Sequence, residues 1–366
     1  MKTDDILMCP GPNDIADRVL RAMIRPAACP ATPEFQEFYE QTLDRLAEVY
    51  QTRNQVIPIP GSGRSGMRFP WGEPLDVGLI REKLAGGTYK LITLVHNETS
   101  SGALYTDAGE IAKLAHAQGA LFLLDAISSL AGADLPTDLW DVDLCVSCNH
   151  KAIAAPIGHA YVAVSERAWG VMEGRREPCR NVFGNLLAWK AQPAESRRGG
   201  RALRRPQGVF TAVHLFYALH EALTLILEEG LAARFARHVL NARAFREGIM
   251  GLGLRPLAKP ELASPTVTCL LLPNGMRSDD FLDHFQQDHG IFTLPGIGPY
   301  RETAIRIGHM GVTAIPRCIL HTLYAIESVL TKLGYRVTPG AAVNRAEQVY
   351  ADAGAREPLG VMASST

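Results

Sequence analysis

The chain has 366 residues, a formal net charge of −1 and no long run of like charge, so there is no electrostatic case for a nucleic-acid or membrane-surface partner. Its length and 47% hydrophobic content allow one large or two medium domains with ample core. No apolar segment approaches the ~20 residues of a membrane span, the opening MKTDDILMCPGPND lacks a signal-peptide stretch, and the seven cysteines are scattered and odd in number, so a soluble cytoplasmic protein with free thiols is expected.

In chain order, Pro10-Gly11-Pro12 leads into a helical pattern over 14–23 that Asn13 or Asp14 would cap. A second helix is predicted over 34–50, with Phe35, Phe38, Leu43 and Leu46 facing inward. A short strand, 56–59, runs into the turn Gly61-Ser62-Gly63-Arg64-Ser65-Gly66. Strand 90–95 precedes HNETSSG, helix 107–118 follows, and the apolar run 120–124 ends in Asp125. The next run, 143–148, is followed by Asn149, His150 and Lys151, and another strand, 161–164, turns the chain back after Gly158. Alternation of strand and helix predicts a parallel α/β sheet with functional groups at the carboxyl ends of its strands. A polar Arg/Gly/Pro-rich stretch over 175–207 interrupts the pattern. Long helices over 211–229 and 231–250 then lead to a strand at 266–272 and helices at 278–288 and 316–333. The expected organisation is an N-terminal arm and large domain (1–234), a small C-terminal domain (235–335) and a tail (336–366) with no evident packing partner.

Asp125 and Lys151 carry the chemistry. A carboxylate and an amine at the ends of two buried strands are expensive to place without a purpose. Pyridoxal 5′-phosphate takes that pair, with a lysine to form a Schiff base and a carboxylate opposite its ring nitrogen. The Gly/Ser turn offers backbone N–H groups, the Ser62 hydroxyl and the Arg64 charge to a phosphate, although many such turns are only turns. Cys145-x-x-Cys148 with His150 lies within an apolar strand and has no second ligand pair after it, so a metal site is rejected.

The strings HNETSSG (96–102), DAISSLAG (125–132), CNHKAIAAPIGHAYV (148–162) and RIGHMG (306–311) resemble those of the class V aminotransferases. The opening PGP and FTAVHLFYALHEAL (210–223) fit the alanine–glyoxylate, serine–pyruvate and ureidoglycine–glyoxylate transaminase group. The resemblance spans about residues 8–335. It implies fold type I: an α/β large domain with a mostly parallel sheet, a smaller α+β C-terminal domain, and a homodimer whose sites span two subunits. By position, Lys151 would hold pyridoxal phosphate and move a proton, Asp125 would pair with the ring nitrogen, and Ile127 would pack on a ring face. Thr99 would lie near the ring oxygen, Ser62, Gly63 and Arg64 would bind the phosphate, and Thr211 would reach in from a neighbouring subunit. Arg306 would hold the substrate α-carboxylate. Other roles stay open: a helix cap for Thr99 or Asp125, an ion pair for Arg306, and either phosphate contact or a satisfied strand end for His150.

One stretch departs from the family. After Gly66 the family runs through further helices and strands before a Trp-Gly pair, whereas here 66–70 passes directly to Trp71-Gly72. The lacking strands would lie together at one side of the sheet, leaving a new edge. The lacking block also carries the aromatic ring that stacks on the cofactor, for which Phe69 and Trp71 are the candidate replacements. Gly208 stands where some relatives have a phosphate-binding tyrosine. The expected function is amino transfer from a small amino acid, such as alanine or serine, to glyoxylate or pyruvate. Two alternatives are a lyase or desulfurase of the same fold, for which Cys179 is the loop cysteine, and an inactive dimerising relative.

Overall fold

The computed structural model describes residues 6–26, 32–59, 69–177, 179, 185–190 and 212–354. The chain divides into two units: Ile15–Glu98 with Leu104–Arg234, and Met1–Asp14 with Thr99–Ala103 and Phe235–Thr366.

The first unit is built on a five-stranded sheet, ordered Gln55–Ile59, Ala160–Val164, Leu144–Cys148, Leu121–Asp125, Leu91–Val95. Leu121–Asp125 runs parallel to both neighbours, and Ala160–Val164 runs antiparallel to both of its own. Helix Ala108–Ala117 buries Ala108, Ile111, Ala112 and Ala115, a stripe at helical spacing, on the core that also takes Phe122 and Leu124. Just beyond the helix, Gly119 (φ 68°) adopts the left-handed conformation that lets the chain turn into the next strand. Helix Pro33–Val49, capped by Thr32 accepting from Phe35 N–H, adds Leu46 and Val49 to the same core, while Phe35 and Leu43 meet Phe216 of helix Val213–Glu229. Leu91–Val95 is the outermost strand, with Leu91 and Val95 exposed at 42% and 38%.

Asp143, fully buried, ties the layers together. Its carboxylate accepts from Phe122 N–H (2.8 Å), Ser165 Oγ (2.9 Å) and Arg167 Nη1 (3.0 Å), and lies 2.8 Å from His116 Nε2. Two strands and two helix ends thus share one charge.

The second unit has a four-stranded antiparallel sheet: Leu294–Pro295, Ala304–Gly308, Val267–Leu271, Arg255–Pro256. Helices Ser278–His289 and Pro316–Lys332 cover it, burying Phe281, Phe285, Ile319, Leu323 and Ile326. The N-terminal strand Ile6–Leu7 pairs in parallel with Ile291–Phe292, and Met8 lies in the same core. Asn13 does not cap a helix. Its Nδ2 donates to Met310 O at 2.5 Å, and the first helix, Asp17–Ala22, starts from Ala16 without a side-chain cap. Beyond residue 335 the chain forms another helix, Ala341–Asp352, which buries Ala342, Ala346, Val349 and Tyr350. The Glu327 carboxylate accepts from Gly340 N–H at 2.6 Å at its start, and Gly248 permits close approach, since a Cβ there would sit 3.0 Å from Ala342 O. Among the described residues no helix is long and apolar enough to cross a membrane.

Replacing Asp143 by alanine leaves buried donors without an acceptor. A loss of about 3–5 kcal/mol is expected in urea unfolding. Breaking the exposed Arg81–Glu110 pair with Arg81→Ala is expected to cost under ~1 kcal/mol.

Candidate active site

Asp125 ends its strand in register with Val95 on one side and Val146 on the other. Its backbone is pinned by His96 N–H donating to Asp125 O (2.9 Å) and by Ala126 N–H donating to Val146 O (2.8 Å). Its carboxylate accepts from Ile127 N–H at 3.0 Å, which turns the chain sharply and leaves Ile127 half-buried. On the adjacent strand the chain leaves Cys148 through a tight turn. Ala155 N–H donates back to Asn149 O (3.1 Å), Ala154 N–H to Lys151 O (2.8 Å), and Asn149 Nδ2 to Pro156 O (2.9 Å). Lys151 is half-buried in this turn, and Ala154 is left-handed at φ 58°.

Burial pushes the Asp125 carboxyl above its ordinary range. The Ile127 N–H and the positive charge of Lys151 pull it back in part, while Glu98 pushes the same way as burial. Burial lowers His150, and Lys151 lowers it further, so its imidazole is held neutral. The buried His150 Nδ1 has no hydrogen-bond partner, and Nε2 is 3.8 Å from Cys148 Sγ. Burial raises the Cys148 thiol to about 11 and keeps it protonated. At the base of the site, burial holds His96 near 4, with its ring edge-on to Trp140. The Asp125–Lys151 site therefore combines the Asp125 carboxyl, with Glu98 acting on it, the Lys151 amine and a neutral imidazole. A planar aromatic group with a protonated ring nitrogen, such as pyridoxal phosphate, fits this set. It answers the buried carboxylate with a cation, and an orphaned imidazole nitrogen stands beside the lysine.

In the other unit, Arg306 is the middle residue of strand Ala304–Gly308 and is 8% exposed. It pairs with Cys269 and Leu294 on its two flanks, and its Nε donates to Pro295 O at 2.8 Å. Gly308 is obligatory here, since a Cβ would lie 1.9 Å from Cys9 O. Thr99 is half-buried at the start of a turn whose Gly102 packs against the Cys269 backbone, beside the register partner of Arg306.

The structure thus brings Asp125, Ile127, His150 and Lys151 together, and places Thr99 and Arg306 in the second unit. Ser62, Gly63, Arg64, Gly208 and Thr211 lie outside the described residues. Phe69 is half-buried against the first unit's core, and Cys179 is half-buried. The sequence reading missed His96 and Arg234 as residues that anchor the site. His96 lay inside a recognised motif, whereas nothing local marked Arg234.

A class-V aminotransferase family model matches residues 72–292, beginning directly after the expected break. An uncharacterized aminotransferase of Methanocaldococcus jannaschii is 31% identical, with 92% of this chain and 96% of that protein covered. That comparison runs over 382 positions, more than the 366 residues here, so the relative carries residues that this chain lacks. The (S)-ureidoglycine–glyoxylate transaminase of Bacillus subtilis is 27% identical over 95% of this chain and 96% of its own. The crystal structure of the Bacillus subtilis ureidoglycine–glyoxylate aminotransferase superposes with a TM-score of 0.87 over 96% of this chain and 99% of that one. A pyridoxamine–pyruvate aminotransferase from Mesorhizobium loti, 25% identical, also gives 0.87, over 96% and 97%. With its sheet order, its strand-end lysine and carboxylate and these likenesses, the chain belongs to the class-V aminotransferases, pyridoxal-phosphate-dependent enzymes of fold type I.

Proposed function

We propose that the protein moves an amino group from a small amino acid to glyoxylate or pyruvate, with Lys151 and Asp125 serving bound pyridoxal phosphate and Arg306 holding the substrate carboxylate. The observation that carries this reading is the Asp125–Lys151 pair, half-buried at the carboxyl ends of adjacent parallel strands and electrostatically coupled. The glyoxylate and pyruvate acceptors in the names of the relatives support the choice of oxo acid.

When bound, pyridoxal phosphate supplies an electron sink that stabilises negative charge at the substrate Cα. Asp125 would accept from the ring N–H, and a carboxylate already committed to the Ile127 N–H is oriented for such a bond. The Lys151 amine would hold the cofactor and, once released from it, would be the group to move a proton at the substrate Cα. A lysine serves both tasks because its amine readily gives up its charge in a desolvated site. Ile127 packs on a ring face, and Thr99 and His150 serve as polar contacts. Ser62, Gly63 and Arg64, with Thr211 of a second copy, bind the phosphate. Arg306 presents a fork matched to a carboxylate, its rotation limited by the Nε bond to Pro295 O. The working form in this reading is a homodimer, and light scattering on the cofactor-loaded chain is expected to return twice the 39.8 kDa chain mass.

The purified protein with added pyridoxal phosphate is expected to develop an absorption band near the visible edge that shifts with alanine or serine and is absent in Lys151→Ala. A folded wild type without the band would favour the inactive-relative reading.

Asp125→Asn has two expected effects. Because burial raises the folded-state pKa, the folded form binds the proton more tightly than the unfolded form. Stability therefore falls as pH rises from the unfolded value through the folded one, and the penalty persists at neutral pH. The cofactor-free variant is expected to melt above wild type at pH 7, with the gap closing below the ordinary aspartate range. Its affinity for pyridoxal phosphate is expected to fall about 10- to 100-fold, as for a lost charge-assisted hydrogen bond.

Arg306→Lys replaces a fork by a point charge, so KM for the amino donor is expected to rise about tenfold or more in steady-state assays. An unchanged KM would remove Arg306 from the substrate site.

A further inference from the structure

Arg234 stands in the first turn of helix Leu231–Gly251, just after the left-handed Gly230 junction, and is only 5% exposed. Its guanidinium reaches three places at once. Nε donates to Ala131 O at 2.7 Å, Nη2 to Ala152 O at 2.6 Å and Nη1 to Glu229 Oε2 at 2.7 Å. Ala131 closes the segment that follows Asp125, and Ala152 is the residue after Lys151. One buried cation therefore spans the two segments that carry the candidate chemical pair.

We infer that Arg234 is a positioning residue that fixes the Lys151 turn against the Asp125 segment by donating to one carbonyl of each. The inference rests on the reading of Lys151 and Asp125 given above. A second observation supports it independently. Both segments contain a left-handed alanine, Ala131 at φ 64° and Ala154 at φ 58°. Residues with a Cβ hold that conformation only where the surroundings over-determine it. Ala131 is itself an acceptor of Arg234, and Ala152 lies in the turn closed by Ala154 N–H on Lys151 O. The planar fork sets the separation of the two carbonyl oxygens, which a lysine's single ammonium on a flexible stem does not. A helix-end staple to Glu229 would account for one bond of the three and leave both carbonyl bonds without a purpose.

The test uses the full chain before pyridoxal phosphate is added. Hydrogen exchange is followed in peptides covering 126–133 and 149–155. Acylation of Lys151 by acetic anhydride is measured relative to the exposed Lys83 by peptide mass spectrometry. Arg234→Lys is expected to open both peptides about tenfold faster and to change the Lys151/Lys83 ratio at least about threefold. Glu229→Ala, which removes the staple and keeps both carbonyl bonds, is expected to leave both readouts within about twofold of wild type. If Arg234→Lys does not fold, Arg234→Gln carries the same comparison, since its amide retains a donor for one of the two carbonyls. Faster exchange confined to helix Leu231–Gly251, or an unchanged acylation ratio, overturns the proposal. Failure of the Lys151 reading shows separately, as an unchanged absorption spectrum in Lys151→Ala, and leaves the exchange result standing.

Discussion

A carboxylate drawn out of water at the end of a strand is tolerable only if donors and a cation answer it. Asp125 meets that condition in part, through Ile127 N–H and the field of Lys151, and burial still outweighs both. Much of the first unit serves to hold this imbalance in place. The parallel ladder brings the strand of Asp125 and that of Lys151 side by side, and His96 locks the carbonyl of the first. Asp143, by contrast, sits just before the neighbouring strand with its acceptor sites well occupied. Of these two acids, Asp143 lies toward the opposite end of the ladder with its acceptor sites occupied, whereas burial of Asp125 outweighs the groups that answer it.

The candidate site lies at the centre of the sheet and not at its margin. The strands that carry Asp125 and Lys151 both lie inside the sheet, with neighbours on each side. One margin, Leu91–Val95, is separated by the Asp125 strand from the strand before Lys151, and Lys90 flanks it. The strand of Asp125 and the strand before Lys151 therefore keep their hydrogen-bonded register inside the sheet.

Much of this was legible in the sequence where local pattern and global fold agree. The strand ending in Asp125, the strand before Lys151 and helix Ala108–Ala117 all announce themselves by apolar runs of the right length and by flanking turn residues. Helix Val77–Ala85 went unread although Asp76 caps it, because its inward face is only Ile80 and Leu84. Helix Ala341–Asp352 buries mostly alanine and valine, a weak apolar stripe that reads as a tail. Strand Ala304–Gly308 is buried at every position, so no alternation marks it, and Arg306 was found by motif alone. Asn13 looked like a cap, yet its partner lies nearly the whole chain away at Met310. Arg234 is the extreme case, since in one dimension it is another arginine on an amphipathic helix.

The N-terminal strand has a consequence for the order of events during synthesis. Ile6–Leu7 and Met8 belong with Ile291–Phe292 and the second core, so this strand is synthesised long before the strand that it pairs with. The contacts within Ile15–Glu98 and Leu104–Arg234 close much earlier in translation. The nascent larger unit can thus gather its sheet while the leading segment waits, tethered and unpaired, for a partner not yet made. Such a chain can gather its first unit early and complete the second only when the distant strand arrives.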